Sequence, residues 1–153
     1  MTKLLTALSL ALMFSAASAT EWKLISETED KDKITSWYVD MTSIVREEEY
    51  LRAYLRTSWS SPQYGPDKTP YQSSTYVNYF DCDTGRIAYT ANTYFASTEP
   101  EGKPVHQEPE QPVTKLKFHR AKPGSAGETR LQFVCKFRSK NFNAQRSVVT
   151  HTG

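Results

Sequence analysis

The sequence predicts an α+β fold: a single antiparallel sheet of about five or six strands with a C-terminal helix tied to it by a disulfide. Three observations support this prediction. A long strand-like run from Tyr71 ends on Cys82, the segment from Tyr50 to Trp59 alternates between apolar and polar residues, and the chain has only one other cysteine, Cys135. The chain is rich in Trp, Tyr and Phe and comparatively poor in Leu, Ile and Val, a composition that favours a sheet over a helical bundle.

The first 19 residues have the pattern of an export signal. Lys3 gives a positive start, an apolar run follows it, and Ala17-Ser18-Ala19 is a small-residue cleavage pattern. The apolar run is shorter than the roughly 20 residues that a membrane-spanning helix needs. We therefore expect cleavage between Ala19 and Thr20 and an exported protein, periplasmic or secreted. No cysteine lies near the cleavage site, so we expect no lipid anchor.

The mature chain has the length of one domain. Positions 20–137 are predicted to form this domain, and positions 138–153 are predicted to be a polar, basic and flexible tail. Lys3 is the only charged residue before the cleavage site, so the mature chain carries 18 basic and 17 acidic residues. This near-neutral balance gives no reason to expect nucleic acid or an anionic membrane as a partner.

Strand patterns account for most of the domain. Strands are expected at 21–26, 34–39, 50–59, 71–82 and 86–96, with a short one at 113–119. The charged runs 27–33 and 45–49 and the proline-containing segments 60–70 and 97–112 are expected to be turns or loops. Asp83-Thr84-Gly85 indicates a tight hairpin turn, which we expect Asp81 and Asp83 to stabilise rather than act as an acid–base pair.

Alternation assigns side chains to the two faces of the strands. Leu51, Ala53, Leu55, Thr57 and Trp59 should point one way, and Tyr50, Arg52, Tyr54, Arg56 and Ser58 the other. In the next strand, Tyr71 should share a face with Tyr79, opposite Tyr76 and Phe80. In the strand after it, Ile87, Tyr89, Ala91, Thr93 and Phe95 should share one face. A strand with one apolar face belongs to an antiparallel sheet.

The Tyr/Arg row of Tyr50, Arg52, Tyr54 and Arg56 is a candidate protein-binding surface. Tyr and Arg are enriched at the hot spots of protein interfaces, so an exposed row of them could hold a protein ligand. The alternative interpretation is that these rings pack against their neighbours within the sheet.

The last apolar segment fits two kinds of structure. Ser125 followed three residues later by Glu128 is a capping box, which predicts a helix over 126–136. Alternation from Leu131 to Phe137 fits a strand equally well, so the period alone leaves both open. Because exported chains are oxidised, Cys82 and Cys135 are expected to form a disulfide, which would contribute about 4 kcal/mol to stability.

No catalytic or cofactor motif is recognisable. The sequence has no G-x-S-x-G turn, no H-E-x-x-H pair, no phosphate-binding glycine loop and no calcium loop. His106, His119 and His151 are isolated in segments expected to be exposed. We therefore expect a protein that is not an enzyme and that binds neither a cofactor nor a metal.

Short motifs in a fixed order give the chain a family resemblance. They are Trp37-Tyr38-Val39-Asp40-x-x-Ser43-Ile44, Pro70-Tyr71-x-Ser73 leading to Phe80-Asp81-Cys82, and Pro123-Gly124-Ser125 leading to Phe133-Val134-Cys135. In this order the chain, from about Trp22 to Cys135, resembles the surface-adhesin protein E family of Gram-negative bacteria.

The resemblance implies both a fold and a function. It implies a small antiparallel sheet with a disulfide-fastened C-terminal helix, which favours helix over strand for 126–136. It also implies a homodimer and the capture of host matrix or plasma proteins such as vitronectin, laminin and plasminogen. Only Lys68 corresponds to a basic pair of the family, so Lys68 is a further candidate binding residue. The alternative is a periplasmic structural or interaction protein of the cell envelope without an adhesin role.

Overall fold

A computed structural model describes residues 20–138; the expected signal segment and residues 139–153 of the expected tail lie outside the described residues. Within this range, strands β1 (Trp22–Asp30), β2 (Lys33–Asp40), β3 (Val45–Glu47), β4 (Tyr50–Tyr64), β5 (Pro70–Asp81), β6 (Arg86–Phe95), β7 (His106–Gln107) and β8 (His119–Arg120) precede helix α1 (Ala126–Cys135). They form one curled antiparallel sheet in the order β1-β2-β4-β5-β6-β7, with β3 beside β4 and β8 beside β6. The predicted α+β class is confirmed.

The strands extend further than the sequence pattern predicted. β1 and β2 meet at Lys31 and Asp32, so most of the charged run 27–33 is strand and not loop. Both turn residues have positive φ, 48° and 64°, as a tight two-residue hairpin turn requires. β4 runs through Pro62 to Tyr64, and 45–47 is a strand as well. The expected strand at 113–119 is wrong: it holds a 3-10 helix, Val113–Lys115, and only the first residue of β8.

The core lies between the sheet and α1. Its buried members are Val39, Leu51, Ala53, Leu55, Tyr76, Phe80, Ile87 and Val134. We call this side of the sheet the helix face and the opposite side, which carries Tyr50, Arg52, Tyr54 and Arg56, the loop face. The alternation predicted for 50–57 is confirmed, because Leu51, Ala53, Leu55 and Thr57 are all buried.

Helix α1 begins at a capping box. The Ser125 hydroxyl accepts a hydrogen bond from the backbone N–H of Glu128 at 3.3 Å, and the Glu128 carboxylate accepts one from the N–H of Gly124 at 2.7 Å. The first bond satisfies an N–H group that a helix leaves free at its start, and the second ties Glu128 to the residue before the N-cap. At its other end, Cys135 forms the disulfide with Cys82, with 5.7 Å between the Cα atoms. The predicted helix and its covalent link to the sheet are confirmed.

The turn between β5 and β6 is held by Asp81. Its carboxylate accepts hydrogen bonds from the Thr84 backbone N–H at 3.0 Å and from Arg86 Nη2 at 2.9 Å. Burial alone would raise the pKa of Asp81, but the bonds from Thr84 and Arg86 outweigh it and hold this pKa below its ordinary value. Asp83 pairs instead with Arg138. Asp81 thus stabilises the turn, whereas Asp83 ties the end of the described chain to it.

A β-bulge in β6 changes which side chains share a face. Thr75 of β5 pairs with Thr93, but Val77 pairs with Thr90, so β6 contains one extra residue between them. Ala91 lies in this interval with a φ of 56°. Because of the extra residue, the alternation predicted for β6 is wrong beyond Ala91: Tyr94 joins Tyr89 on the helix face, while Thr93 and Phe95 lie on the loop face.

Segment 97–118 folds back over the loop face. Its contacts with the sheet include Arg52 Nη2 to Glu110 Oε1 at 2.8 Å, Ser58 Oγ to the Thr98 carbonyl at 2.8 Å, and the Gln111 N–H to Thr90 Oγ1 at 2.7 Å. The sheet is therefore covered on both sides, by α1 over part of one face and by this segment over the other. No helix within residues 20–138 is long and apolar enough to cross a membrane.

Candidate binding site

The Tyr/Arg row does lie on one face, but its side chains are occupied by contacts within the molecule. The Tyr50 ring stacks on Phe118 with 4.7 Å between centroids, and Arg52 pairs with Glu110 and Glu47. Phe118 and Glu110 both belong to the segment that covers the loop face. The outer half of the row is thus shielded by residues distant in sequence.

The inner half of the row is held more tightly still. Arg56 is only 7% exposed; its guanidinium lies 4.0 Å from the Tyr38 ring centroid and pairs with Glu99. Trp22 packs against both Arg56 and Tyr54, with 5.7 Å between the Trp22 and Tyr54 centroids. These contacts agree with the alternative interpretation of the Tyr/Arg row, in which its side chains pack against neighbours within the molecule.

Lys68 lies apart from that row, at the tip of the β4–β5 hairpin. It is exposed, has a φ of 62°, and donates its backbone N–H to the Gly65 carbonyl at 2.9 Å. Hydrogen bonds from Thr69 lower the pKa of the neighbouring Asp67, so this carboxylate stays ionised. Tyr64, 66% exposed, completes the tip. The tip presents an aromatic ring and charges of both signs at the opposite end of β5 from Cys82.

An open groove that the strand patterns did not predict lies on the helix face, beside α1. We call it the aromatic groove; its walls include Trp37, Trp59, Tyr71, Tyr76, Tyr89 and Tyr94. Its cavity measures about 280 Å³. A second cavity of about 290 Å³ adjoins it under the hairpin tip and shares Tyr71 and Tyr94 as lining residues. The two cavities therefore meet at these two rings and lie side by side along the sheet.

Successive ring contacts fix the middle of this depression. Trp59 meets Tyr71 edge-to-face at 5.5 Å, and Tyr71 meets Tyr94 edge-to-face at 4.9 Å. Tyr71 thus belongs with Tyr76 in the groove, whereas the Tyr79 hydroxyl donates to Glu47 on the loop face. The prediction that Tyr71 and Tyr79 share a face is wrong at this end of β5, where the pairing with β4 is irregular between Ser58 and Gln63.

Polar groups lie on the floor of the groove. Asn78 is 1% exposed, and neither its Nδ2 nor its Oδ1 has a hydrogen-bond partner among the described residues. Arg130 of α1 donates from Nη1 to the Tyr76 hydroxyl at 3.2 Å and lies 5.8 Å from the centroid of Trp37, while its Nε is buried without a partner in the described chain.

The groove also changes the acidity of Tyr94. Burial, together with the negative charge of nearby Glu108, raises the pKa of Tyr94 to about 12. Both causes disfavour the phenolate, so Tyr94 is a neutral donor and acceptor at physiological pH. Within residues 20–138, no group of three or more His, Cys, Asp and Glu side chains is arranged to hold a metal.

Sequence reasoning missed the groove because two irregularities in pairing create it. One is the bulge at Ala91, a residue type that rarely adopts a left-handed backbone. The other is the interrupted pairing of β4 with β5. The one available signal was the excess of Tyr and Trp, three Trp and nine Tyr, which a small core cannot absorb.

Comparison with known proteins gives a consistent result. The family model described as surface-adhesin protein E matches residues 22–136. A crystal structure of protein E from non-typeable Haemophilus influenzae superposes with a TM-score of 0.55 at 12% identity, covering 84% of this chain and 86% of that one. A second crystal form of Haemophilus influenzae protein E gives 0.53 at 15% identity, covering 85% and 97%.

These structural similarities, at 12% and 15% identity, show the fold alone. A comparison of the sequence with curated proteins found no significant match. The family match spans most of the chain and includes β1, the hairpins, the disulfide and α1. The chain therefore belongs to the surface-adhesin protein E family.

Proposed function

We propose that the mature protein is a non-enzymatic adhesin that captures host extracellular-matrix or plasma proteins. Membership of the surface-adhesin family over residues 22–136 is the observation that carries this proposal. Surface adhesins are exported proteins that bind protein ligands. For this chain we propose a host matrix or plasma protein as the ligand.

The hairpin tip is the surface that we propose for contact with the protein ligand. Tyr64 and Lys68 are exposed there. Arg52 and Arg56 on the loop face instead form salt bridges with Glu110 and Glu99. An exposed aromatic ring and an exposed cation on the same hairpin tip resemble the hot spots of protein interfaces. The tip also projects from the end of the sheet farthest from the disulfide, where a large partner can approach.

Surface plasmon resonance against immobilised vitronectin, laminin and plasminogen tests this proposal. Lys68→Ala and Tyr64→Ala should each weaken binding about tenfold or more, as loss of a hot spot does. Lys136→Ala is the matched control, because Lys136 is an exposed lysine beside the disulfide at the other end of the sheet. Absence of binding to all three host proteins by the folded wild type would refute capture of this ligand class.

We further propose that the mature chain starts at Thr20, carries no lipid anchor and forms a homodimer. Intact-mass measurement of the exported protein reports its start and any lipid, and light scattering reports its oligomeric state. Protease treatment of intact cells then separates the two functional candidates. Loss of the protein from treated cells, or its recovery from the medium, supports an adhesin, whereas exclusive retention in the periplasm favours an envelope protein.

A further inference from the structure

The aromatic groove has the composition of a ligand site. Flat rings line it, a buried amide lies on its floor, and Tyr89 at its rim is 58% exposed. We infer that the groove binds a neutral oligosaccharide, with sugar rings against the aromatic side chains and sugar hydroxyls on Asn78. This inference goes beyond the proposed capture of proteins, because it rests on Asn78 and the rings of the helix face, although the second cavity reaches Tyr64 at the hairpin tip.

Asn78 is the observation that points to a ligand. Its side chain lines the groove, is 1% exposed, and leaves both a donor and an acceptor unpaired within the described chain. Burying unpaired polar atoms costs free energy, and an apolar residue of similar size at this position would avoid that cost. A group that both donates and accepts would satisfy Asn78, and a sugar hydroxyl does both.

The rings supply the second half of such a site. Trp59, Tyr71 and Tyr94 hold one another by edge-to-face contacts, so their orientation is set before a ligand arrives. The C–H groups on one face of a sugar ring carry partial positive charge and pack well against the electron-rich face of an aromatic ring. Ring faces and hydroxyl partners are thus present in the same depression.

Arg130 adds a further donor to the groove. Its Nη1 is bonded to the Tyr76 hydroxyl and its guanidinium lies over Trp37, which fix its position, while its buried Nε has no partner in the described chain. A hydroxyl or ring oxygen of a sugar near Asn78 would accept from this N–H. Asn78 and Arg130 together offer two donor nitrogens and one acceptor oxygen, a mixed set that suits hydroxyl groups.

Other ligand classes match this set less well. A purely apolar molecule would leave Asn78 unpaired. A phosphate group only accepts hydrogen bonds, so it would leave Asn78 Oδ1 unpaired, and a polyphosphate chain would meet the carboxylates of Asp67 and Glu108 in the adjoining cavity. A peptide that binds by strand addition needs a free sheet edge, whereas this groove lies on a sheet face.

The size of the depression favours more than one sugar. Cavities of about 280 and 290 Å³ share Tyr71 and Tyr94, and ligand sites commonly span roughly 300–1,000 Å³. A chain of sugars can follow the rings from Tyr89 toward the hairpin tip. We therefore specify an oligosaccharide and not a monosaccharide.

A glycan array of neutral and anionic oligosaccharides, followed by calorimetry with the best neutral member, tests the inference. Trp37 and Trp59 line the groove, so binding should also change tryptophan fluorescence. Two variants address the mechanism: Asn78→Leu and Trp59→Ala should each reduce affinity at least about tenfold. Trp22→Ala, which removes a tryptophan from the loop face, is the matched control and should bind as the wild type does.

Thermal unfolding of Asn78→Leu distinguishes a binding role from a structural one. Because the leucine removes two unpaired buried polar atoms, the melting temperature should rise by about 3 °C while binding is lost. A lower melting temperature would place Asn78 in a structural role and overturn the inference. Binding of anionic glycans alone, binding of no glycan by folded protein, or unchanged affinity in both groove variants would overturn it as well.

Discussion

The two halves of the helix face differ in chemistry although they share the same strands. Under α1 the sheet presents aliphatic and aromatic side chains, among them Leu55 and Phe80, that are fully buried against Val134. Beside α1 the same strands present ring faces, and an amide without a hydrogen-bond partner among residues 20–138, in an open groove. The covered half forms most of the core, and the open half is the surface for which we infer a ligand.

The sharpest test of this division compares one residue from each half. Phe80→Ala removes a ring with 0% exposure and should lower the free energy of unfolding by about 3–5 kcal/mol, because it leaves a cavity in the core. Tyr89→Ala removes a ring that is 58% exposed and should change stability by only about 0.5 kcal/mol. Denaturant unfolding measures both, and equal losses would abolish the distinction.

The next largest effect should come from the disulfide that links α1 to the covered half of the helix face. Replacing Cys82 and Cys135 together by alanine should cost about 2–4 kcal/mol, since the disulfide restricts the unfolded chain. Wild-type protein unfolded in a reducing agent should show the same loss, which serves as the control. An unchanged denaturation midpoint in both samples would mean that packing of α1, through Leu131 and Val134, suffices without the covalent link.

The smallest effect should be a pH dependence of the free energy of unfolding, caused by Tyr94 in the groove. The pKa of Tyr94 is raised from its ordinary value of 10.0 to about 12, so above pH 10 the unfolded chain loses this proton first. The stabilising contribution is complete below pH 10 and is lost as pH rises toward 12. Tyr94→Phe should therefore flatten the decline of stability in this window, as measured by unfolding at a series of pH values. An identical pH profile for both proteins would show that the groove does not shield Tyr94.

The parts of the fold that local patterns control were predictable. The alternation of Leu51, Ala53 and Leu55 located the buried face of β4, and Ser125 with Glu128 marked the start of α1 against a competing strand pattern. The two cysteines in an exported chain were sufficient to predict the link between them. Each of these signals depends on residues close in sequence or on the chemistry of one residue type.

The remaining features depend on contacts that sequence patterns do not contain. Alternation left both an exposed and a packed Tyr/Arg row possible, and Glu99, Glu110 and Phe118 reach the row from a distant segment. The charged run 27–33 was predicted to be a loop because its residues are polar, yet an edge hairpin can be polar on both faces. Alternation predicts which side chains share a face, but not what covers that face.

The bulge at Ala91 makes the content of the groove depend on the length of β6. One extra residue places Tyr94 on the helix face; without it, Thr93 and Phe95 would take that side and Tyr94 would turn to the loop face. A change of one residue in strand length would thus replace several lining side chains at once, while the aliphatic core near Ile87 keeps its register. In this fold, a single insertion or deletion in β6 would therefore change the lining of the groove and move the buried Phe95, while Ile87 keeps its place in the core.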